Sequence, residues 1–121
     1  MNIFIVALGG AIGAVLRYIL STFINRNFDF KFFIAGTLIV NLIGCFLIGL
    51  FYALAKNYES LNEIRLLIVV GFLGAFTTFS SITYESITLL KSLGFVAFSA
   101  NIILNVVFGL IATYIALNFF K

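Results

Sequence analysis

The densest group of polar residues in this chain lies inside an apolar run, in the segment GFLGAFTTFSSITYES at residues 71–86. Its glycines, threonines and serines are poorer helix formers than alanine or leucine, and hydroxyls close to the backbone compete for its hydrogen bonds. We therefore predict an interruption of the helix near residues 74–78. A break leaves backbone carbonyls free, and free carbonyls are good ligands for a hard cation. The alternative is a continuous helix that its hydroxyl side chains only bend.

One arginine and three asparagines within the apolar runs each need a partner or a function. Arg17 comes four residues after Gly13 and so shares its helix face; it either reaches the lipid headgroups or attracts anions at a pore mouth. Asn41 stands in the middle of the second run, where it forms an interhelical hydrogen bond or offers an amide donor to an anion. Asn101 and Asn105 stand four apart on one face, which favours a polar track or a wet interface.

The composition argues against several classes of function. The chain contains no histidine, so the commonest general base and zinc ligand are missing, and we find no pair of carboxylates. An enzyme is therefore the least expected class, and no organic cofactor is implied. Its single cysteine, Cys45, has no partner for an intramolecular disulfide. The basic residues are scattered singly, which is not the pattern of a nucleic-acid-binding surface.

The hydropathy of the chain indicates its fold class. Of the residues 64% are hydrophobic and 9% charged, whereas soluble domains carry about 25% charged residues. A helix needs about 20 apolar residues to cross the hydrocarbon core, and four runs approach or exceed that length: Asn2 to Ile24, Phe32 to Ala55, Ile64 to Leu90, and Leu93 to Phe120. We predict an all-α, multi-pass protein of the cell membrane, with residues 1–121 forming one four-helix domain.

The ends of the predicted spans give no clear orientation. No basic residue precedes the first run, and Arg17 lies inside it, so we predict a retained first span rather than a cleaved signal peptide. Each side of the membrane would then hold three basic residues: Lys56, Arg65 and Lys121 on one side, and Arg26, Lys31 and Lys91 on the other. Either another signal decides the orientation, or the chain inserts both ways and two opposite copies form an antiparallel dimer.

Small residues recur at spacings that allow helices to approach closely in lipid. Gly9 and Gly13 stand four apart in the first run, and Gly36, Gly44 and Gly49 follow in the second. These glycines serve either an interface between two subunits or the packing of helices within one subunit.

Three motifs resemble those of the Fluc (CrcB-type) family of fluoride ion channels. They are GGAIGAVLRY at 9–18, GTLIVNLIG at 36–44, and GFLGAFTTFSS followed by a glutamate at 71–85. They occur in the family's order, in a chain of the family's length, and the resemblance covers essentially the whole chain. The third motif is specific, whereas the first two would be weak alone.

The resemblance implies an antiparallel, dual-topology homodimer with a broken third helix, enclosing two pores that pass fluoride out of the cell. It also implies a structural Na⁺ at the dimer centre, held by the backbone carbonyls at positions that match Gly74 and Thr77. The implied partners are the fluoride ion, a second copy of the chain and the lipid bilayer.

The positions expected to form the fluoride pathway combine this match with the polar residues described above. They are Asn41, Phe79, Ile82, Ser80, Ser81, Thr83, Arg17, Glu85, Asn101 and Asn105. A phenylalanine ring has a positive edge that can face an anion, and amides and hydroxyls can add hydrogen bonds.

Three positions depart from the family pattern. Ile82 stands where the family usually has phenylalanine, and Asn101 and Asn105 stand where many members have tyrosine and serine. A complete aromatic pair is therefore not expected, and amides rebuild the polar track.

Two other classes of protein stay open at this point. A small multidrug-resistance-type cation exporter also has four spans and a dual-topology dimer. It needs a carboxylate in the membrane, typically in the first helix, whereas Glu85 here lies late in the third run. The other class is a membrane assembly subunit with no transport of its own.

Overall fold

The computed structural model describes residues 1–119, and every regular element in that range is a helix. The elements are α1 (Asn2–Asn27), α2 (Ala35–Ala55), a 3-10 helix (Glu59–Ile64), a π-helical segment (Leu66–Leu73), α3 (Gly74–Phe76), α4 (Phe79–Leu93) and α5 (Phe95–Asn118).

Four stretches are long and apolar enough to cross a membrane: Asn2–Asn27, Ala35–Ala55, Leu66–Leu93 and Phe95–Asn118. The prediction of an all-helical protein with four spans is thus confirmed. The predicted fourth span ended at Phe120, which lies outside the described residues, as does Lys121 of the charge comparison.

The third span, Leu66–Leu93, changes its backbone conformation three times along its length. It runs as a π-helix to Leu73 and as an α-helix to Phe76. Thr77 and Thr78 then have extended backbones, with φ, ψ of −86°, 157° and −147°, 112°. The α-helix resumes at Phe79. These two extended residues fall within the range in which the sequence predicts an interruption.

Local chemistry explains why α4 begins where it does. The hydroxyl of Thr78 accepts a hydrogen bond of 3.2 Å from the backbone N–H of Ser81. This is the N-cap contact for which Ser and Thr are favoured, because it satisfies one of the N–H groups that lack a partner in the first helical turn.

A glycine, Gly94, ends α4. Gly94 alone joins α4 to α5, and its φ is 92°. A side chain would be strained at this φ, whereas glycine adopts it freely. The turn folds α5 back against α4.

Close backbone contacts hold α1 against the third span. An added Cβ at Gly13 would lie 3.1 Å from the backbone nitrogen of Phe76, and one at Gly9 would lie 2.9 Å from that of Phe72. In the second span, a Cβ at Gly49 would meet the carbonyl oxygen of Thr113 in α5 at 2.6 Å. These glycines therefore serve helix packing within one protomer.

Candidate functional site

Polar side chains collect in the interior of a bundle whose outer surface is apolar. Among residues 1–119, five of them are buried: Thr37, Asn41, Ser86, Asn101 and Asn105. They come from α2, α4 and α5, and they meet along the seams between these helices. A polar group buried at membrane depth is costly without a partner, so the partners of these side chains define the site.

Asn41 pairs with the backbone of the extended segment in the third span. Its Oδ1 accepts a hydrogen bond of 2.8 Å from the N–H of Thr78, and its Nδ2 donates one of 3.2 Å to the carbonyl of Thr78. In a regular helix, the N–H of Thr78 would donate to the carbonyl of Gly74. The Asn41 side chain takes the place of that helical partner.

A chain of amides continues from Asn41 into α5. Asn41 Nδ2 donates to Asn105 Oδ1 at 3.1 Å, and Asn105 Nδ2 donates to the carbonyl of Asn101 at 2.8 Å. Asn101 in turn donates to the hydroxyl of Ser86 at 3.0 Å and accepts from the N–H of Ile34 at 3.3 Å. The two asparagines predicted to share a face thus lie on one interior track that reaches α2 and α4.

Glu85 lies half-buried at one end of this polar interior. The hydroxyl of Thr37 donates a short hydrogen bond to its Oε1. Its Oε2 is buried and has no hydrogen-bond partner among the described residues.

Sequence reasoning missed Thr37, although a signal was present: Thr37 stands four residues before Asn41 and so shares its helix face.

The hydroxyls that follow the extended residues form a local cluster. Thr78 Oγ1 lies 3.0 Å from Ser81 Oγ and 3.3 Å from Ser80 Oγ. Thr83 donates to the carbonyl of Ser80 at 2.8 Å, a bond within its own helix. Ser80 and Thr83 are exposed on the protomer, whereas Ser81 is half-buried.

Phe79 and Ile82, the two positions at which the family resemblance implies pore phenylalanines, have different surroundings. Phe79 is 75% exposed on the single chain, whereas Ile82 is 9% exposed. Both line a groove of about 280 Å³ between α4 and α5, together with Ser86 and Phe98.

Arg17 points at the third span. Its Nε donates a hydrogen bond of 3.0 Å to the carbonyl of Ala75, two residues before the extended segment. The glycine-lined face of α1 brings this guanidinium against α3, so Arg17 is bound to protein and does not extend freely toward the headgroups.

Gly74 and Thr77 share a second cavity. It has a volume of about 200 Å³ and is also lined by Gly44 and Cys45. Within residues 1–119 no cluster of His, Cys, Asp or Glu is suited to a metal ion.

Four apolar helices enclosing a hydrogen-bonded track of amides, hydroxyls and one carboxyl define a small multi-pass membrane protein with a polar interior. This is the arrangement of channels and transporters, whose intramembrane polar residues mark ion and substrate pathways.

Comparison with known proteins narrows the class to one family. The family profile described as CrcB-like protein, Camphor Resistance (CrcB), matches residues 4–117. The chain is 40% identical over 120 residues to a protein of Campylobacter jejuni named fluoride-specific ion channel FluC, covering 99% of this chain and 98% of that protein. A protein of the same name from Shewanella woodyi is 45% identical over 114 residues, covering 94% and 91% of the two chains. This chain belongs to the CrcB family.

Proposed function

We propose that this protein is a fluoride-selective ion channel that lets fluoride leave the cell passively. The observation that carries the proposal is the similarity, over nearly the full length of both chains, to relatives named fluoride-specific ion channels. The buried polar track adds physical support. Nothing in the comparisons favours a cation exporter or an assembly subunit, and the first span carries no carboxylate.

The proposed pathway follows the polar interior and the surface next to it. Fluoride is small and strongly hydrated, so a narrow path lined by polar groups suits it. Arg17 stands near a mouth, and its positive charge favours the entry of anions. The remaining members of the path are Asn41, Phe79, Ile82, Ser80, Ser81, Thr83, Glu85, Asn101 and Asn105.

A second copy of the chain completes this pathway in our proposal. The Phe79 ring is largely exposed on the protomer, and Ser80 and Thr83 are exposed beside it. An aromatic edge and two hydroxyls facing lipid would serve no transport, whereas a partner subunit would enclose them. The equal numbers of basic residues on the two sides and the family membership support an antiparallel, dual-topology arrangement of that dimer.

We also propose a structural Na⁺ at the dimer centre, held by the carbonyls of Gly74 and Thr77 in a broken third helix. The residues present fit such a site. The N–H of Thr78 pairs with Asn41 rather than with the Gly74 carbonyl, and carbonyl oxygens are the ligands that hard cations prefer. One protomer supplies two such carbonyls, so a complete site needs the second copy.

Thermal unfolding of the protein in different salts tests the proposed sodium site. The thermal unfolding temperature of the purified dimer should be higher in NaCl than in N-methylglucamine chloride at equal ionic strength. Thr77→Val keeps the side-chain shape but removes the hydroxyl, which bonds only to the Leu73 carbonyl among the described contacts, so it should preserve the sodium effect. Equal stability of the parental protein in both salts would refute the site.

The channel proposal is tested by ion efflux from liposomes containing the purified protein. We expect rapid loss of fluoride, recorded with a fluoride electrode, and negligible loss of chloride under the same gradient. Protein-free liposomes provide the background rate. Chloride efflux as fast as fluoride efflux would refute selectivity, and background rates for both ions would refute channel function.

A further inference from the structure

The hydrogen bonds of Asn41 use both N–H groups of its side-chain amide. One N–H donates to the Thr78 carbonyl, the other donates to Asn105 Oδ1, and the oxygen accepts from the Thr78 N–H. An amide nitrogen carries only two hydrogens. A direct bond from Asn41 to a passing anion would therefore displace one of its present acceptors.

The orientation of both amides follows from backbone groups. The Thr78 N–H can pair only with an acceptor, so the oxygen of Asn41 must face it. The Asn101 carbonyl can pair only with a donor, so the nitrogen of Asn105 must face it. This second constraint turns the oxygen of Asn105 toward the remaining N–H of Asn41. Flipping either amide would bring like groups together.

Because Asn41 and Asn105 are buried, losing a hydrogen bond between them is costly. Asn41 and Asn105 are 5% and 4% exposed, respectively. An apolar side chain at position 105 would leave one N–H of Asn41 without its acceptor. A buried donor that loses its partner bears its full desolvation penalty, and the Asn41 amide would rotate to reduce it. That rotation would move the oxygen of Asn41 away from the Thr78 N–H.

We propose that Asn105 is a positioning residue: acting through the Asn41 amide, it holds Thr78 in the extended conformation that interrupts the third span. Thr78 caps α4, and the exposed ring of Phe79 follows it directly. The Thr77 carbonyl lies on its other side. Asn105 thus controls the shape of the proposed pathway, of which it is itself a member, through the Thr78 backbone. Of the two measurements that test this inference, only fluoride efflux rests on the proposed function.

The direct test measures hydrogen exchange of the Thr78 amide by NMR, on ¹⁵N-labelled protein in lipid nanodiscs. Asn105→Ala should speed this exchange by roughly two- to tenfold, the effect expected from loss of about one net hydrogen bond. Fluoride efflux should fall in the same variant. Asn118→Ala is the matched control, because Asn118 Nδ2 also donates to a carbonyl one turn earlier in α5, that of Tyr114 at 2.7 Å. It should change neither readout.

A double-mutant cycle separates positioning from general destabilisation. If Asn105 acts through Asn41, then Asn41→Ala and the double variant with Asn105→Ala should show the same exchange rate at Thr78 and the same efflux. Effects that multiply in the double variant would overturn the proposal, as would a parental exchange rate at Thr78 in Asn105→Ala.

The unmodified protein gives a result that does not depend on how the variants fold. The Thr78 amide should exchange far more slowly than that of Lys31, which lies in the exposed segment between α1 and α2. Equal rates at the two positions would refute the pairing with Asn41 and with it the role of Asn105. Absence of fluoride efflux from the parental protein would instead refute the proposed function, and the exchange measurements would still decide the inference.

Discussion

Arg17 donates a hydrogen bond of 3.0 Å from its Nε to the carbonyl oxygen of Ala75, which joins α1 to the last turn before the extended residues of the third span. In a continuous helix that carbonyl would accept from the N–H of Phe79. The extended backbone at Thr77 and Thr78 disrupts this pattern, and a cation on another helix supplies the donor. Positive charge is also favourable near a helix C-terminus, because the backbone dipole leaves partial negative charge there.

Replacing Arg17 with glutamine should lower stability and flux together. The bond is half-buried and charge-assisted, so Arg17→Gln should reduce the free energy of unfolding by about 1 kcal/mol. Fluoride efflux should fall most at low ionic strength, where the attraction of the Arg17 charge for anions is least screened. Arg26→Gln, at an exposed position in the last turn of α1, is the control. Equal effects of the two changes on stability would contradict a specific role for the Ala75 contact.

The packing of α1 predicts opposite outcomes for two nearby glycines. A Cβ at Gly13 would collide with the Phe72 carbonyl and lie 3.1 Å from the Phe76 nitrogen. Gly13→Ala should therefore destabilise the protein by about 2 kcal/mol, in the range of other overpacking changes. At Gly10 the nearest atom would be 3.8 Å away, and alanine favours helix by about 0.5–1 kcal/mol. Gly10→Ala should be neutral or stabilising. Thermal unfolding in detergent measures both, and equal destabilisation would contradict the packing described.

Asn41→Asp should abolish fluoride efflux. One carboxylate oxygen could still accept from the Thr78 N–H, but the other would face the Thr78 carbonyl and Asn105 Oδ1, both acceptors that now lie within 3.2 Å of the amide nitrogen. The change also places a negative charge beside the proposed anion path. Efflux is measured on folded, dimeric protein, with Asn118→Asp near the end of α5 as the control. Transport at the parental rate would show that Asn41 is dispensable.

Fluoride efflux should respond unequally to substitutions at Phe79 and Ile82. Phe79→Ile removes the aromatic edge that is exposed on the protomer, so fluoride efflux should fall severely. Ile82→Phe should be mild, because Ile82 borders a groove of about 280 Å³ that can take part of a ring. Efflux and unfolding are compared for both variants. A severe loss from Ile82→Phe with normal folding would show that the isoleucine is itself required, whereas normal efflux from Phe79→Ile would exclude the ring from the pathway.

Dual topology predicts that one loop position is accessible from both sides of the membrane. In a Cys45→Ala background, Asp29→Cys places a single thiol in the exposed segment between α1 and α2. A membrane-impermeant maleimide should label part of the protein in intact cells and the remainder only after permeabilisation. Labelling from one side alone, in protein that still transports fluoride, would contradict the antiparallel dimer.

Much of the fold follows from local properties of the sequence. The four spans are apparent from the lengths of the apolar runs, since each helix satisfies its own backbone hydrogen bonds within lipid. The turn at Gly94 and the cap at Thr78 likewise depend on residues within one helical turn of each other. Asn101 and Asn105 were predicted to share a face because a spacing of four is set by helix geometry alone.

The tertiary structure decided which polar groups meet. Asn41 forms hydrogen bonds with Thr78, 37 residues away in the sequence, and with Asn105, 64 residues away. Thr37 forms one with Glu85, 48 residues away. The sequence indicates that most of these side chains need hydrogen-bond partners, because polar groups buried in an apolar protein are costly. It could not assign the partners, since each pairing depends on the depth and rotation at which two helices pack. Close approach at glycines such as Gly49 of α2, which meets the backbone of Thr113 in α5, helps to set that depth and rotation. The packing then brings polar residues that are distant in the sequence into contact.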